Sequence, residues 1–456
     1  MATDTPTPVR EWEARVFDFL EAPIPEEVLE RGEDTVADVL AATVAGSAAE
    51  PYVEVWEATD LPPGPATVVG TDRTTAPVQA ATLNGTAAIV QEIEEGHNTG
   101  GHVGAGIVVG ALAMAEQADA DGETLVESCV RAYELCARLE RAIFAMKARL
   151  NRAVPWLLRD PHSTWTTVGP AVAGALCADP DPAVAQNAFR LGANRAVISM
   201  DDPYEAGPPS RNVTAGTSAG VGVAMAQLAI AGLPGSGHAV AAVYDPFADL
   251  LPEGFGTLFD DLDEQWAISE NYFKPYPSCR YTHAPVDALR EIDREFRPEE
   301  IDRIVVETYA NAADMAHTDP ETLTSAKFSI PYVLARYLYS GDVALKHFSP
   351  EAIADESVQE LANRVEVRAA EEFDNAFPED WGARVTVALR DGDLVSAERA
   401  YPRGDYRDPI LDDEFADRLE SLLTYRLRDS NYERACDVVR SPSAFDACEL
   451  GETLRW

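Results

Sequence analysis

Three short polar stretches concentrate the residue types that could do proton chemistry. They are QEIEEGHNTGGHVGAG from Gln91, DPHSTWTTVGP from Asp160 and KPYPSCRYTHAP from Lys274. The first two stand just before uncharged, Gly- and Ala-rich runs, which are typical of a buried helix. Free backbone N–H groups at the start of a helix carry partial positive charge and favour a nearby anion. These stretches therefore suit a carboxylate ligand.

Four histidines in these stretches are candidates for proton transfer, namely His97, His102, His162 and His283. An imidazole with a pKa of about 6.5 can take a proton from carbon and return one to a leaving oxygen. The alternative for any one of them is a structural role, in which the ring caps a helix or hydrogen-bonds a carbonyl. Metal binding by His97 and His102 is a weak rival, because their spacing does not stack two imidazoles on one helical face.

Fixed cations are the second requirement for metal-free elimination or decarboxylation of a multiply negative acid. Lys274, Arg280 and Arg211 can supply them. Lys occurs at only four positions, Lys147, Lys274, Lys327 and Lys346. The hypothesis for Lys274 is that a bulkier guanidinium cannot replace a compact ammonium beside a substrate carboxylate. The alternative is that its position is a matter of chance.

The elements that must position these residues divide the chain in two. Apolar residues recur at helical spacing through about the first 270 residues and again in DDEFADRLESLLTYRL near the end. IDRIVVETY from Ile301 reads as a strand, and ARVTVALRDGDLVSAERAY reads as a hairpin with a turn at Asp391-Gly392. We predict a mainly α protein with a smaller α+β domain. Residues 1–271 and 403–456 form the all-helical body, and residues 272–402 form an inserted α+β lid.

Composition limits the partners and the compartment. The chain has 456 residues, 46% of them hydrophobic, and a formal net charge of −42 spread along its length. This indicates a folded, salt-adapted halophilic protein without a basic face for nucleic acid or for a membrane surface. No secretory signal is evident at the N-terminus, so we expect a cytoplasmic location. The uncharged run from Asn212 to Tyr244 favours a buried helix over a membrane span.

Cysteine spacing predicts no metal or other cofactor. Six Cys occur without any C-x-x-C pair, which favours neither a disulfide framework nor a zinc or iron–sulfur site. The expected chemistry is therefore carried by side chains alone.

Five blocks together resemble the MmgE/PrpD family. They are NGTAAIVQEIEEGHNTGGH, PHSTWTTVGPAVAGA, RNVTAGTSA, KPYPSCRYTHAPVDAL and AKFSIPYVLA, and the match runs in order from about Pro25 to Tyr425. That family includes 2-methylcitrate dehydratases of propionate metabolism, cis-aconitate decarboxylases and an iminodisuccinate epimerase. The resemblance implies a helical domain with a smaller α+β lid, a homodimer, and an active site in the cleft between the two domains.

The resemblance also implies roles for particular residues. The family's acidic pair falls on Glu94 and Glu95, where other members often have Asp, and its active-site Lys falls on Lys274. Arg211 stands where some members have Lys, which keeps the charge but changes its geometry. The remaining matches are His102, His162 and a cleft-facing Tyr at Tyr332.

Cys279 is the main departure, because decarboxylase-type members carry a second His there. It is either a thiolate activated by nearby cations or a small neutral wall of the pocket. His283 either orients a neighbour or binds a carboxylate, with a structural role as the alternative. For Tyr332 the alternative is packing in a lid helix.

We therefore expect a hydro-lyase of the 2-methylcitrate dehydratase type, acting on a small carboxylic acid. The catalytic candidates are His102, His162, Lys274, Glu95 and Cys279. The substrate-binding candidates are Arg211, His97, Arg280, His283 and Tyr332. Two alternatives stay open: decarboxylation or epimerisation of a related acid at the same site, and non-catalytic carboxylate binding on a retained fold.

Overall fold

The structure is a computed structural model, and it describes residues 11–50, 52–98, 101–153, 157–160, 167–195, 199–200, 207–238, 255–427 and 430–456. The first half of the chain is mainly helical. They are α1 (Glu11–Phe19), α2 (Glu26–Gly46), α3 (Tyr52–Ala58), α4 (Pro77–Val90), α5 (Val103–Ala118), α6 (Gly122–Ala153), α7 (Val168–Ala178), α8 (Pro182–Ala193) and α9 (Val213–Ile230). Short strands pair between them: β1 (Ala66–Thr67) with β2 (Thr74–Thr75), β4 (Leu157–Asp160) with β5 (Ser199–Met200), and β3 (Gly96–His97) with the later β6 (Asn271–Tyr272).

The central helices are apolar on every side because they are surrounded by other helices. α4 packs against α2, α5 and α9, and α7 packs against α5, α6, α8 and α9. By length and composition alone, one helix among the described residues could cross a membrane, Pro209–Ile230, with a mean hydropathy of 1.4. Its extensive contacts with α4, α7 and α8 are those of a core helix.

The second half holds a four-stranded sheet with helices. Its strands are β7 (Ile301–Thr308), β8 (Val365–Ala369), β9 (Ala383–Leu389) and β10 (Leu394–Arg399), in the order β10-β9-β7-β8. β8 runs parallel to β7, and the other pairs are antiparallel. The helices of this half are α10 (His283–Arg290), α11 (Ala310–Ala313), α12 (Leu323–Lys327), α13 (Ile330–Ser340), α14 (Pro350–Ile353), α15 (Glu356–Ala362) and α16 (Glu371–Ala376).

The last helices return to the first half of the chain. α17 (Asp412–Arg426) and α18 (Ser430–Arg440) pack on α2, and α19 (Ala447–Thr453) packs on α5. One hydrophobic core accordingly contains Val36 and Val108 together with Leu423, and a separate core contains Ile304 and Val385 of the sheet. The predicted fold class, mainly α with a smaller α+β part, is confirmed. The exact domain boundaries stay a prediction.

Candidate active site

The acidic loop, residues 91–95, leaves the C-terminal end of α4 through an unusual backbone turn. Glu92 has φ +50, in the left-handed region that residues other than Gly rarely adopt. Such a conformation costs about 1 to 3 kcal/mol and persists only where its surroundings hold it in place. The turn sends the Glu92 side chain towards α9 and residues 274–279, which we call the lysine segment.

A short strand pairing brings the acidic loop and the lysine segment together. Gly96 pairs with Tyr272 and His97 with Asn271 in the antiparallel β3–β6 ladder. The Nε of Arg31, on α2, donates to Oδ1 of Asn271 at 2.6 Å, which fixes the same strand to the body. Lys274, two residues after this ladder, is thereby placed beside the acidic loop.

Two cations converge on the carboxylate of Glu92. Nη1 of Arg211, which lies just before α9, donates to Oε1 of Glu92 at 2.6 Å. Nζ of Lys274 donates to Oε2 at 3.2 Å. All three side chains are 5% exposed or less, so water screens their charges weakly.

His102 joins the cluster through Glu94. Its Nδ1 pairs with Oε1 of Glu94, and its Nε2 lies 3.9 Å from Oε2 of Glu92. A carboxylate at Nδ1 orients the ring, so Nε2 is the nitrogen placed to exchange a proton with a ligand. Within the cluster the His102 side chain is the most exposed, at 11%, which marks where a ligand can approach.

The two carboxylates are kept ionised by their neighbours. Burial by itself raises the pKa of Glu92, but Lys274 and Arg211 outweigh it and hold that pKa well below the ordinary value. Burial opposes ionisation of Glu94 as well, and Lys274 and His102 lower its pKa. The cluster is therefore a network of buried charges of both signs, which is a common feature of functional sites.

One oxygen or nitrogen from each of Glu92, Glu94 and His102 lies within 4.8 Å of the others, a spacing that could hold a metal ion. The ammonium of Lys274 lies 3.2 Å from Oε2 of Glu92 and 3.7 Å from Oε1 of Glu94. A carboxylate oxygen of each Glu is therefore already paired with an ammonium. The donor set is thus already neutralised by a side-chain cation.

Cys279 lies in the same electrostatic environment. Burial, with a contribution from Glu92, raises the pKa of its thiol to about 12. A thiol with that pKa is neutral near neutral pH, because Lys274 and Arg211 lower the pKa less than burial raises it. The structure therefore favours the neutral-wall alternative over the thiolate.

Lys327 is a further buried lysine beside the site, and no sequence motif predicted it there. Its Nζ donates to the carbonyls of Gln91 and Pro277 at 2.8 Å each, one in the acidic loop and one in the lysine segment. The same nitrogen lies 4.2 Å from the centre of the Phe348 ring. Burial lowers the pKa of Lys327 well below its ordinary value.

Glu95, a predicted catalytic residue, is not brought to this cluster. Its Oε1 accepts from the backbone N–H of Gly104 at 2.6 Å, and its Oε2 accepts from the Tyr133 hydroxyl at 2.9 Å. Both partners belong to helices of the body. Burial raises the pKa of Glu95 to about 8.

Two other predicted binding residues have structural partners elsewhere. The ring of His97 is buried edge-on to Tyr133, and burial lowers its pKa to about 3. Arg280 donates from Nη1 to the carbonyl of Arg403 at 2.8 Å and stacks over Tyr272.

His283 and Tyr332 both have hydrogen-bond partners within the second half of the chain, and their predicted substrate-binding roles stay predictions. Nε2 of His283 lies 3.2 Å from the carbonyl of Ser278, and burial lowers the pKa of its ring well below the ordinary value. The Tyr332 hydroxyl donates to the carbonyl of His347 at 2.7 Å, inside the lid core. His162 lies outside the described residues, so its predicted role stays a prediction.

The structure thus joins His102, Lys274, Arg211 and Cys279 of the predicted set and adds Glu92 and Lys327. Glu92 lies in the same QEIEEG stretch as the predicted acidic pair, and sequence alone does not reveal the turn that selects it. The signal for Lys327 was its rarity, since it is one of only four Lys in the chain.

Comparison with known proteins agrees with this architecture. The model of the MmgE/PrpD N-terminal domain matches residues 18–256, and that of the MmgE/PrpD C-terminal domain matches residues 276–441. The helical body, the α+β part and the charged cluster agree with an enzyme that acts on carboxylic acids, in a family with dehydratase- and decarboxylase-type lyases. The chain belongs to the MmgE/PrpD family.

Two curated relatives are similar over nearly their whole length. The cis-aconitate decarboxylase-like protein oryM of Aspergillus oryzae is 25% identical, over 94% of this chain and 93% of the relative. The cis-aconitate decarboxylase of Aspergillus terreus is 23% identical, over 92% of this chain and 89% of the relative.

Proposed function

We propose that this protein is a lyase of the 2-methylcitrate dehydratase type, which eliminates water from a small polycarboxylic acid. The observation that carries the proposal is the buried cluster of His102, Lys274 and Arg211 around two ionised carboxylates. It combines a proton-transfer group with fixed cations, the two requirements of this reaction. Membership of a family of dehydratase- and decarboxylase-type lyases supports the same reaction class.

In the proposed reaction Nε2 of His102 removes a proton from the carbon next to a substrate carboxylate. The C–H electron pair forms the new C=C bond, the C–O bond to the hydroxyl group breaks, and the departing oxygen takes the proton back from the imidazolium of His102 to leave as water. Glu94 at Nδ1 stabilises the imidazolium formed in the first step. Lys274 and Arg211 bind substrate carboxylates and stabilise the negative charge that develops on them.

Decarboxylation of a related acid is the second candidate, and the two decarboxylase-type relatives favour it. In that reaction the C–CO2 bond breaks, its electron pair stays on carbon, and the imidazolium of His102 donates the proton that replaces CO2. Cys279 argues against this candidate, because a neutral thiol stands where decarboxylase-type members carry a second proton-transfer group. Epimerisation would need the same His102 to remove and return a proton without loss of a group.

The test is an incubation of the purified protein in molar potassium chloride with 2-methylcitrate, citrate, cis-aconitate and racemisable dicarboxylic acids. Product mass and chirality then separate the candidates. Loss of water from one of the hydroxy acids supports the proposal. Loss of CO2 assigns the site to decarboxylation, and inversion of a chiral centre assigns it to epimerisation. Binding without turnover of any acid contradicts an enzymatic role.

Two variants connect the activity to the cluster. Replacing His102 with Gln removes the proton-transfer group, so we expect turnover to fall by about 100-fold or more. Lys274→Met removes the ammonium, so we expect a comparable loss. The matched control is Lys346→Met, because that side chain is 69% exposed and pairs only with Asp342 among the described residues. Normal turnover by His102→Gln would remove His102 from the mechanism.

A further inference from the structure

Glu92 is held from both sides of its strained backbone turn. The carbonyl before it, of Gln91, accepts from Nζ of Lys327 at 2.8 Å. The carbonyl after it, of Ile93, accepts from Nη2 of Arg418. Both donors come from distant parts of the chain, Lys327 from the lid and Arg418 from α17. Glu92 therefore keeps its left-handed backbone conformation between two carbonyls that are held by side chains from distant parts of the chain.

The side chains of Lys327 and Arg418 also hold the lysine segment. Lys327 donates to the carbonyl of Pro277 at 2.8 Å, and Nε of Arg418 donates to the carbonyl of Lys274 at 2.9 Å. Lys327 and Arg418 therefore each bridge one carbonyl of the acidic loop and one carbonyl of the lysine segment. Along the acidic loop, the two bridged carbonyls flank Glu92.

Neither Lys327 nor Arg418 is available to bind a substrate. Lys327 is fully buried, and its Nζ is committed to two carbonyls and the face of Phe348. Arg418 is also committed, because its Nη1 pairs with Asp38 and its other nitrogens serve the two carbonyls. Asp38 in turn accepts from the N–H of Glu95 at 2.7 Å, which anchors the far end of the acidic loop.

We propose that Lys327 and Arg418 are positioning residues, which bridge the acidic loop to the lysine segment and so hold Glu92 at the proper distance from Lys274 and Arg211. Their action is indirect, through backbone carbonyls, and makes the charged cluster preformed before substrate arrives. This inference rests on the proposed function for its catalytic consequence.

The central variant is Lys327→Met, which keeps a long apolar side chain and removes both hydrogen bonds. A misplacement of about 1 Å can lower catalysis by about 100-fold, so we expect kcat to fall by that order while KM changes less. The acid limb of the pH profile moves to higher pH, because Glu92 drawn away from its cations is protonated at higher pH. Lys346→Met is the control for loss of a lysine at an exposed position.

Arg418 is tested with a conservative pair. Arg418→Lys retains a cation for Asp38 and one of the carbonyls, so it should recover part of the kcat that Arg418→Met loses. Arg434→Met is the control, since Arg434 is 62% exposed and pairs with Glu449 at the surface. A purely structural role predicts a lower unfolding temperature with unchanged kcat, KM and pH profile for the folded fraction. That result would overturn the proposal.

A crystal structure of Lys327→Met separates this inference from the proposed function. We expect Oε2 of Glu92 to lie farther than 3.2 Å from Nζ of Lys274 in the variant, or φ of Glu92 to leave the left-handed region. An unchanged acidic loop refutes the positioning role whatever the activity. Wild-type protein that turns over none of the acids refutes the proposed reaction, while the variant's structure still decides the positioning role.

Discussion

Neighbouring carboxyl groups in the acidic loop have opposite environments. Glu94 faces His102 and Lys274, which favour its charged form. Glu95 points into the body, where burial raises its pKa to about 8. The two residues are adjacent in sequence, but their carboxyl groups have different partners and therefore different environments. Sets of titratable groups with diverging pKa values are typical of sites that move protons.

The raised pKa of Glu95 predicts a dependence of stability on pH. Between its ordinary pKa of 4.5 and its folded pKa of about 8, the folded state keeps a proton that the unfolded state releases. The free energy of unfolding therefore falls as pH rises through this window, by up to about 1.4 kcal/mol per pH unit from this group. Glu95→Gln cannot ionise, so its stability relative to wild type should improve progressively from pH 5 to pH 8, as measured by denaturant unfolding.

The control for this experiment is Glu57→Gln, because Glu57 is exposed. Its stability should follow the wild-type pH dependence. Parallel curves for Glu95→Gln and wild type would show that Glu95 is not protonated in the folded protein. A loss of turnover by Glu95→Gln at unchanged stability would instead support the catalytic role predicted from sequence.

The sequence predicted Lys274, Arg211 and His102 as residues of the cluster. It predicted the carboxylates less well, because Glu92 was not among the candidates. Lys274 and Arg211 stand out in an acidic chain that has few Lys, whereas three Glu occur within four residues of the acidic loop. Only the backbone conformation at Glu92 determines which of them face the cations. Lys327 lies in an apolar context, and its bridging contacts are between segments far apart in sequence.

At the element scale, two helices that meet at glycines set the distance between Glu92 and Arg211. α4 leads into the acidic loop, and α9 begins just after Arg211. The helices approach closely where Gly85 faces Gly216: a Cβ on Gly85 would lie 3.0 Å from Cα of Gly216. A Cβ on Gly216 would lie 2.1 Å from the carbonyl oxygen of Thr82, which is too close for any side chain.

Gly216→Ala is therefore expected to force α4 and α9 apart. Overpacking of this kind destabilises by about 1 to 3 kcal/mol, although Ala favours a helix more than Gly does. Displacement of Arg211 relative to Glu92 should also lower kcat/KM by roughly tenfold. Thermal unfolding and steady-state kinetics measure the two effects.

Leu228→Ala on the same helix is the control, because Leu228 is 41% exposed. Leu228→Ala should leave the unfolding temperature and kcat/KM near the wild-type values. A Gly216→Ala protein that is as stable and as active as wild type would show that the two helices can separate without consequence for the site.

Local patterns predicted most elements but not the non-local pairing. The hairpin of β9 and β10 forms around Gly392, whose φ of +95 is the conformation that the Asp391-Gly392 turn indicated. β8 was not predicted, since its five residues follow directly on a helical pattern. Its parallel partner β7 lies some 60 residues earlier, as in the pair Ile304 and Val365, and no local signal encodes such a pairing.

At the scale of the whole molecule, the C-terminal segment completes the body and the active site. Leu419 and Leu423 of α17 lie in the same core as helices from the first half of the chain. Arg418 on the same helix reaches the carbonyls of Ile93 and Lys274. The C-terminal family match, residues 276–441, therefore combines the lid with helices that belong to the core of the body. The predicted homodimer and cytoplasmic location stay predictions.

The formal net charge of −42 predicts that salt stabilises the protein. Unfolding lets like charges move apart, so their repulsion in the compact state favours the unfolded state. Screening shortens from about 10 Å at 0.1 M salt to about 3 Å at 1 M, which weakens this repulsion. If screening contributes about 3 kcal/mol, Tm of a chain of this length should rise by roughly 3 °C between 0.1 M and 2 M potassium chloride. Calorimetry at constant pH measures this increase.

A sucrose series at matched water activity controls for stabilisation by solute exclusion, because sucrose is excluded from the protein surface but does not screen charge. Charge repulsion predicts that potassium chloride raises Tm well beyond the sucrose series, with most of the increase at the low-salt end, where the screening length changes most. A Tm that stays flat or falls between 0.1 M and 2 M potassium chloride would contradict the halophilic interpretation. In that case the ion pairs on the surface would already compensate for the excess of carboxylates.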